Sequence, residues 1–543
     1  MDVPPMRPSF LLSVIVLCAF VIRVWGIADH PVGLYWDEVA IGYNAWSILQ
    51  TGQDEYGRFF PMLFESFNEF KLPGSIYSTV PSIAIFGPNA FGVRFPAVLY
   101  GTLTVLVLYW LTILLTGRKQ IGLLSAFVLA LMPWHVHFSR VGFEATGMVF
   151  WVLFGMTLIL RAKRTPTMLL IALPTLAFSL YFYHAARIFI PLMLTFIIVR
   201  DWRWFWHERV FAIVGGFLAL LLLLPLGIET MKPGRTVRFD QVSIFSDPTV
   251  LERSIKRKEE VGSILSRIAN HRFVIWGAEA FRNELAHFSP QFLFISGDSN
   301  IRHSIPGFGM LFFVFLPFLL VGLILLFRFR NMRMMVFFWL IIAPIPGAFA
   351  QPAPHALRSI LLIPVFAIVI AVGIDAIFRW IRGRTSVFIG MVVAIVFFSS
   401  FVVFVRSYLI DYPRVSAVEW ADGYQELFAW LQTHGEGYER IAISGYHWKP
   451  YIFAAFYLPI EPASYLSVPT NHSRFGKFFF GPSSWDRGDP HYNPDFSWAD
   501  VLKQSGTLTV LAPGEEEQFS AETVITEIKR ANGSTAFMIR LVQ

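Results

Sequence analysis

The sequence predicts an all-α polytopic membrane protein of about eleven transmembrane helices, followed by a small α/β extracytoplasmic domain. Of the 543 residues, 55% are hydrophobic and only 15% are charged, whereas soluble domains carry roughly 25% charged residues. Apolar runs of about 20 residues recur, and each is long enough to cross a hydrocarbon core of roughly 30 Å. After Arg406 the composition becomes that of a soluble domain. Together these observations exclude a soluble enzyme.

Eleven apolar segments are predicted to span the membrane. The first resembles a signal peptide, but it is longer than a usual signal core and lacks a small-x-small cleavage site, so we interpret it as retained. Residues 167–199 are predicted to form two short spans, because one span would place Arg187 at mid-membrane. The predicted spans are 10–28, 93–115, 120–134, 145–160, 167–182, 187–199, 210–228, 308–327, 334–350, 357–378 and 386–406.

Short basic loops give the orientation of these spans. Loops rich in Lys and Arg lie in the cytoplasm, which explains the net charge of +7 without nucleic acid as a partner. The basic positions are Arg7, Arg118, Lys119 and the segments 161–164, 200–209, 328–333 and 379–384. Loops 29–92 and 229–306 are then on the outer side. The result is a multi-pass protein of the cytoplasmic (inner) membrane, with a transmembrane catalytic module at 1–406 and an extracytoplasmic α/β domain at 407–543.

Local patterns in the C-terminal domain indicate mixed secondary structure. A helix is predicted near Tyr424–Leu431 and a strand at Arg440–Ser444, and Thr507–Leu511 is a second strand candidate. Cys18 is the only cysteine and lies in the first apolar run. An internal disulfide and a cysteine metal cluster are therefore excluded.

Unusual polar residues collect on the predicted outer face. They come from five separate loops, while the spans hold few ionisable groups away from their ends. They include Asp37, Glu38, Lys71, Arg94, His135, His137, Arg140, Glu144, His184, Arg187, His355 and Arg358. A site that moves a solute would need polar groups near the midplane of the bilayer. This distribution instead predicts a site for a lipid head group at the interface.

Asp37 and Glu38 are the predicted catalytic acids. Because acids favour a helix N-terminus, the pair would equally suit the start of a helix predicted at Val39–Gln50. In the functional interpretation, Asp37 is a general base. Transfer of a group to a hydroxyl requires removal of the hydroxyl proton as the new bond forms, and a nearby carboxylate accepts it.

Lys71 is the first candidate for binding a phosphate. It lies just before an apolar stretch that runs toward Phe86, where a lysine commonly snorkels to the membrane surface. Alternatively, its ammonium group stabilises the negative charge of a departing carrier phosphate. Further phosphate-binding candidates, each also unremarkable as an interfacial anchor, are Arg140, Arg187 and Arg358. The other site candidates are Arg94, His137, Glu144 and His355.

Several motif classes are missing from the sequence. It has no Gly-rich phosphate loop followed by Lys-Ser/Thr and no His-Glu-x-x-His, so ATP use and zinc-protease chemistry are not expected. His135 and His137 alternate as in an extended segment and would bind a metal only together with a carboxylate. Two histidines alone are a weak signal.

The order of motifs in the first 150 residues resembles a known family. Tyr35-Trp36-Asp37-Glu38 follows the first span, and a helix then ends at Gln50-Thr51-Gly52. Downstream come Lys71-Leu72-Pro73-Gly74 and Val93-Arg94-Phe95-Pro96-Ala97. This order is similar to the membrane glycosyltransferases of the GT-C fold, in the group of protein O-mannosyltransferases and the lipid A aminoarabinose transferase.

The resemblance implies a polyprenyl-phosphate sugar donor and an inverting displacement at the anomeric carbon. It assigns Asp37 as the base and Lys71 as a phosphate contact, and it implies two helices lying along the membrane at 39–51 and 70–86. Gly74 departs from the family, whose usual residue there is proline. Relatives that transfer oligosaccharides use a divalent metal, whereas users of phosphate-linked sugars generally do not. The resemblance therefore implies no required metal, with a divalent metal as an open alternative that the sequence does not support, and no other cofactor is predicted.

The predicted function is transfer of a sugar to a protein, lipid or glycan acceptor at the outer face of the membrane. Two alternatives from other classes remain open. One is a flippase or other transporter of lipid-linked sugars, which would need polar groups around a midplane cavity. The other is a non-catalytic cell-envelope assembly protein in which the C-terminal domain carries the function.

Overall fold

The computed structural model describes residues 8–67, 69–233, 243–246, 252, 271–328, 330–381, 383–446, 448–483, 489, 491–493, 495–515 and 522–542, without the side chains of residues 330–332 and 522. Arg7 and much of the predicted loop 229–306 lie outside the described residues. The chain forms two compact units. Unit 1 consists of Met1–Arg23, Leu99–Ser139 and Glu144–Val405, and unit 2 of Val24–Val98, Arg140–Phe143 and Arg406–Gln543.

Long apolar helices make up most of the first 406 residues. In lipid, every backbone N–H and C=O must be satisfied within the chain, and a helix achieves this within one segment. The apolar helices are Pro8–Val24, Ala90–Thr116, Lys119–Leu131, Ala145–Ala162, Leu169–Ser179, Ala186–Arg200, Arg209–Thr230, Leu316–Leu325, Arg330–Ile342, Leu362–Trp380 and Arg384–Arg406. Shorter or more polar helices are Pro133–Phe138, Trp202–His207, Arg272–Ala286 and Ile345–Ala348.

Each of the eleven predicted spans overlaps one of these apolar helices. In the described part of the chain, five helical segments are both long and apolar enough to cross a membrane alone: Ala90–Thr116, Ala145–Ala162, Arg209–Thr230, Leu362–Trp380 and Arg384–Ser416. The others are shorter. The count of eleven crossings stays a prediction, whereas the helix break expected between residues 181 and 187 is present between Ser179 and Ala186.

Glycines allow two helices of unit 1 to approach closely. A Cβ atom on Gly322 would lie 2.0 Å from the carbonyl oxygen of Val369, and one on Gly373 would lie 1.8 Å from that of Phe318. Any side chain at either glycine would force Leu316–Leu325 away from Leu362–Trp380. Small residues at such contacts are typical of membrane helices, which associate through close packing.

Unit 2 begins with the segment that carries the predicted catalytic acids. Helix Trp36–Thr51 is followed by an antiparallel hairpin of strands Phe64–Ser66 and Glu69–Lys71, and then by helix Pro73–Phe86. Gly52 ends the first helix in the left-handed conformation with φ of 73°. This conformation is typical of a glycine at a helix C-terminus.

The C-terminal part of unit 2 is α/β, as predicted. Its strands lie in the spatial order Arg474–Phe475, Phe478–Phe480, Arg440–Ile443, Thr507–Leu511, Thr535–Val542 and Glu522–Lys529. The third strand pairs in parallel with its two neighbours, and the other pairs are antiparallel. Its helices are Tyr412–Ser416, Tyr424–His434, Pro450–Tyr457, Pro462–Leu466 and Trp498–Leu502.

One hydrophobic core joins residues 24–98 to this sheet domain within unit 2. Val39, Ile41 and Tyr43 belong to the same buried cluster as Phe456 and Ile539. Complete burial of one such side chain contributes roughly 1.5–3 kcal/mol. Residues 24–98 therefore fold together with the C-terminal residues. The predicted division into modules 1–406 and 407–543 stays a prediction, and it did not anticipate this association.

Three local expectations were wrong. The helix expected at Val39–Gln50 begins at Trp36, and the helix expected over 70–86 begins only at Pro73. Residues 69–71 instead pair with the preceding strand, and proline ends the strand because it has no N–H to donate. His135 and His137 lie on the short helix Pro133–Phe138 rather than in an extended segment. Pro133 at its first position presets a helical φ.

Candidate functional site

The predicted site residues divide between the two units. Unit 2 holds Asp37, Glu38, Lys71, Arg94 and Arg140. Unit 1 holds His137, Glu144, Arg187, His355 and Arg358. The two groups are therefore described separately.

Asp37 and Lys71 form an ion pair. The Lys71 ammonium lies 2.6 Å from Asp37 Oδ1 and 3.4 Å from Glu69 Oε1. Asp37 stands in the first turn of its helix, and Lys71 is the last residue of its strand. The Lys71 side chain is 3% exposed and the Asp37 side chain 19%. The second Asp37 oxygen accepts no hydrogen bond from the described residues, so it is available to accept a proton or a hydrogen bond.

Glu38, next in the chain, is completely buried against Arg94. The Arg94 guanidinium donates from Nε to Glu38 Oε1 at 2.8 Å and from Nη2 to Oε2 at 3.0 Å, and both side chains are 0% exposed. The backbone amides of Gly142 and Tyr35 donate to the same two oxygens at 2.7 and 3.2 Å. Each oxygen thus accepts two hydrogen bonds. This arrangement holds the start of the helix in place and leaves Glu38 inaccessible to a substrate.

Arg94 also binds the turn that follows the first apolar helix. It donates to the carbonyl oxygens of Ile27 at 2.9 Å, Pro31 at 2.8 Å and Gly33 at 2.5 Å. Together with the Glu38 pair, these contacts engage all three of its nitrogens. The predicted site candidate Arg94 therefore fixes the backbone on both sides of Asp37.

Replacing Arg94 by methionine is expected to destabilise the protein by about 3–5 kcal/mol, because it leaves the Glu38 carboxylate buried without a counter-charge. Thermal unfolding of the purified variant in detergent measures the effect. Arg58→Met is the matched control, since Arg58 pairs with Glu65 in the same unit but is 37% exposed. Its cost is expected to stay within about 1 kcal/mol. Equal losses of stability in the two variants would contradict the assignment.

Arg140, a predicted phosphate contact, lies against the same turn. It is 3% exposed and donates to the carbonyl oxygens of Trp25 at 2.8 Å, His30 at 3.2 Å and Gly26 at 3.4 Å. Its guanidinium carbon stands 5.1 Å from the centre of the Tyr408 ring. These contacts tie Arg140 to three backbone carbonyls of the turn that follows helix Pro8–Val24. A role for Arg140 in phosphate binding stays a prediction.

A buried polar network supports the C-terminal end of helix Trp36–Thr51. Asn44 exchanges two hydrogen bonds of 3.0 Å with Glu55, which lies in the loop after the helix. Burial raises the pKa of Glu55 to about 8. Lys449 and His472 contact Asp489 at 2.8 and 2.9 Å. Burial alone would raise the pKa of Asp489, but these two partners lower it. Sequence reasoning missed this network because its residues are far apart in the chain.

The predicted residues of unit 1 have more varied surroundings. His137 Nε2 lies 2.6 Å from the carbonyl oxygen of Arg302, and Arg358 donates to the carbonyl oxygen of Gln351 at 2.9 Å. Glu144 stands immediately before helix Ala145–Ala162 without capping it through its side chain. The half-buried Arg187 side chain makes no ion pair or hydrogen bond with the described residues.

His355 belongs to a buried cluster that sequence reasoning did not identify. Asp298 Oδ2 lies 3.2 Å from His303 Nδ1 and 3.9 Å from His355 Nδ1. Burial lowers the pKa of both histidines. Burial alone would raise the pKa of Asp298, but the hydrogen bond from His303, the charges of both histidines and the Asn300 amide together lower it to about 2. The available signal was the sequence Asp298-Ser299-Asn300, followed by His303 after two further residues.

Comparisons with known proteins bear on this architecture. Residues 73–228 match the model of the family described as dolichyl-phosphate-mannose-protein mannosyltransferase. No curated protein sequence matches the chain significantly. ArnT from Cupriavidus metallidurans, solved with undecaprenyl phosphate bound, is 11% identical with a TM-score of 0.56, and the match covers 98% of each chain.

The archaeal oligosaccharyltransferase AglB from Archaeoglobus fulgidus also matches. Its structure, in complex with an inhibitory peptide and a dolichol-phosphate, is 14% identical with a TM-score of 0.52. The match covers 83% of this chain and 63% of AglB, so the chain spans less than two thirds of the length of AglB. At such identities these likenesses establish the fold. The predicted resemblance to the GT-C membrane glycosyltransferases is confirmed, and the apolar helices agree with a multi-pass membrane protein.

Proposed function

We propose that this chain, a multi-pass membrane protein with the GT-C glycosyltransferase fold, transfers a sugar from a polyprenyl-phosphate-linked donor to an acceptor at the outer face of the cytoplasmic membrane. The ion pair between Asp37 and Lys71 is the observation that carries the proposal. The two side chains come from separate elements, a helix start and a strand end. Their contact brings together one group suited to accept a proton and one suited to bind a phosphate.

In the proposed reaction, an acceptor hydroxyl attacks the anomeric carbon of the donor. The new carbon–oxygen bond forms on the face opposite the phosphate, the bond to the phosphate oxygen breaks, and the configuration inverts. Asp37 takes the hydroxyl proton through its open oxygen, and Lys71 stabilises the negative charge on the departing phosphate. Asp37 thus receives the hydroxyl proton, and Lys71 stabilises the negative charge of the phosphate. These two side chains are in contact before the reaction begins.

The ion pair also has a purely structural interpretation, in which it links the helix to the hairpin. Against this, Asp37 retains 19% exposure and an open oxygen, whereas the neighbouring Glu38 is completely enclosed. A purely structural acid would be expected to resemble Glu38. We therefore assign Asp37 as the base and propose that Glu38 is a positioning residue, which differs from the sequence-based prediction that both are catalytic. Roles for Arg140, Arg187 and Arg358 at the donor phosphate remain proposals.

Mass spectrometry of lipid-linked sugars and surface glycans in a deletion strain tests the function. One polyprenyl-phosphate sugar is expected to accumulate, and one surface modification is expected to disappear. Restoring the wild-type gene should reverse both changes. The accumulated carrier-linked sugar identifies the donor, and the missing surface modification identifies the acceptor. An unchanged carrier pool with unchanged surface glycans would refute the proposal.

Two further experiments separate the alternative functions. For a transporter, purified protein in vesicles would move a lipid-linked sugar across the bilayer without any acceptor, and a transferase would not. For a non-catalytic assembly protein, a strain carrying Asp37→Asn would retain the modification. Either result would replace the glycosyltransferase assignment.

A further inference from the structure

The buried Asp298, His303 and His355 cluster of unit 1 has the dimensions of a metal site. A potential ligand atom from each residue lies within 4.8 Å of the other two. The residues are only 4%, 7% and 7% exposed. In a tetrahedral zinc site, bonds of roughly 2.0–2.2 Å place neighbouring ligand atoms about 3.3–3.5 Å apart. The separations of 3.2 and 3.9 Å from Asp298 Oδ2 to the two Nδ1 atoms lie on either side of this range.

We propose that Asp298, His303 and His355 bind one divalent transition-metal ion of the Zn²⁺ class. Two imidazole nitrogens and one carboxylate oxygen suit zinc, whereas Mg²⁺ and Ca²⁺ need six or more oxygen ligands. Three protein ligands leave the fourth position for water or an anion. The site goes beyond the proposed sugar transfer, because neither Asp37 nor Lys71 takes part in it.

The groups around the cluster hold its members in place. The backbone amides of Ala356 and Asn300 donate to the two Asp298 carboxylate oxygens at 2.7 and 2.9 Å. His287 Nε2 accepts a hydrogen bond of 3.1 Å from the backbone amide of His355. Such outer contacts orient metal ligands before the ion arrives, and their loss typically weakens metal binding about 10–100-fold.

Binding requires two rearrangements, and they conserve protons. The backbone amide of Arg358 donates to His355 Nδ1 at 3.4 Å, so the ion must replace this hydrogen bond at His355. Without an ion, His303 Nδ1–H donates to Asp298. When the neutral His303 imidazole carries its proton on Nε2 instead, its Nδ1 has a free lone pair. This lone pair and the Asp298 carboxylate oxygen can then bind the same ion. No net proton is gained or lost. The ion then replaces the hydrogen bond between the two side chains.

Nearby positive charge limits the affinity. Arg302 directly precedes His303 in the chain, and the backbone amide of Arg358 contacts His355, so both arginines place positive charge near the cluster. Their guanidinium groups are engaged with Asn300 and with the carbonyl oxygen of Gln351. Asp298 offsets only one of the two charges of the ion. We therefore expect weaker binding than in a structural site built from cysteines, and a preference for an anion at the fourth position.

Metal analysis of the full-length protein in detergent tests the site. The protein is loaded with Zn²⁺ or Co²⁺ and desalted, and the retained ions are counted by mass spectrometry. About one ion per chain is expected, with the visible absorption of tetrahedral Co²⁺. His303→Ala, His355→Ala and Asp298→Asn are each expected to weaken retention by at least about 10–100-fold. Zn²⁺ should raise the melting temperature of the wild type but not of these variants.

His271→Ala is the matched control, because His271 is an exposed histidine of the same unit outside the cluster. It should retain the ion and the Zn²⁺-dependent stabilisation. Absence of a retained ion in the wild type, or equal retention in wild type and His303→Ala, would overturn the site and leave a hydrogen-bonded cluster. Because these readouts do not depend on sugar transfer, failure of the metal site and failure of the proposed function are separable.

Discussion

Asp37→Asn is expected to lower the rate of sugar transfer by about 10²–10⁴-fold while leaving the protein folded. The amide has the shape of the carboxylate and can still accept a hydrogen bond from Lys71, but it cannot take a proton from the acceptor. The first turn of helix Trp36–Thr51 keeps a polar residue at this position. Initial rates at saturating donor, together with the melting temperature in detergent, measure the two properties separately.

Glu65→Gln is the matched control for Asp37→Asn. Glu65 lies in the same unit, pairs with Arg58 and is 17% exposed, close to the 19% of Asp37. Neutralising this acid should leave the transfer rate within a few-fold of wild type, because Glu65 pairs with Arg58 and has no part in the proposed proton transfer. Full activity of Asp37→Asn at saturating donor would reject Asp37 as the base. Equal losses in both variants would indicate a general effect of acid removal.

The sequence could predict the chemistry of Asp37 and Lys71 but not their contact. Hydropathy and the basic loops placed both residues in one outer segment, and the resemblance gave each a role. The 2.6 Å contact depends on the hairpin Phe64–Ser66 and Glu69–Lys71. Strands of three residues contain too little alternation to predict, and the resemblance implied a helix over 70–86 instead.

Adjacent acids illustrate a second limit. Asp37 and Glu38 are indistinguishable by composition, and both fit a helix N-terminus. Their environments differ because successive helix residues point about 100° apart, which turns Glu38 toward Arg94 and Asp37 toward Lys71. Arg94 appeared only as one of several outer cations. Its function as the buried partner of Glu38 depends on a contact between residues 56 positions apart.

No local sequence pattern could predict the shared core of unit 2. A Cβ atom on Gly42 would lie 2.5 Å from the Phe456 ring and 2.7 Å from Val93, so the helix that carries Asp37 fits tightly against both. Hydrophobic periodicity predicts which face of a helix is buried, but not which distant segment covers it. Composition alone therefore predicted a domain boundary at residue 406, whereas residues 24–98 pack together with the C-terminal residues in one unit.

Lys71→Met is expected to lower the turnover number for donor by about 10²–10³-fold. Negative charge on the donor phosphate increases as its bond to the sugar breaks, so the ammonium group interacts more strongly with the transition state than with bound donor. The turnover number should therefore fall more than the Michaelis constant rises. Lys71→Arg, which keeps the positive charge, should recover part of the loss. Steady-state kinetics with a polyprenyl-phosphate sugar measures both constants.

Lys449→Met distinguishes this catalytic effect from loss of a buried ion pair. Both lysines belong to unit 2, both are 3% exposed, and each contacts a carboxylate, Asp37 at 2.6 Å and Asp489 at 2.8 Å. Removing Lys449 should lower the melting temperature without a comparable loss of turnover in the protein that remains folded. If Lys71 were only structural, the two variants would lose stability and turnover in the same proportion. A Lys71→Met variant with wild-type turnover would contradict the assignment. It would show that the ammonium group does not stabilise the phosphate charge in the transition state.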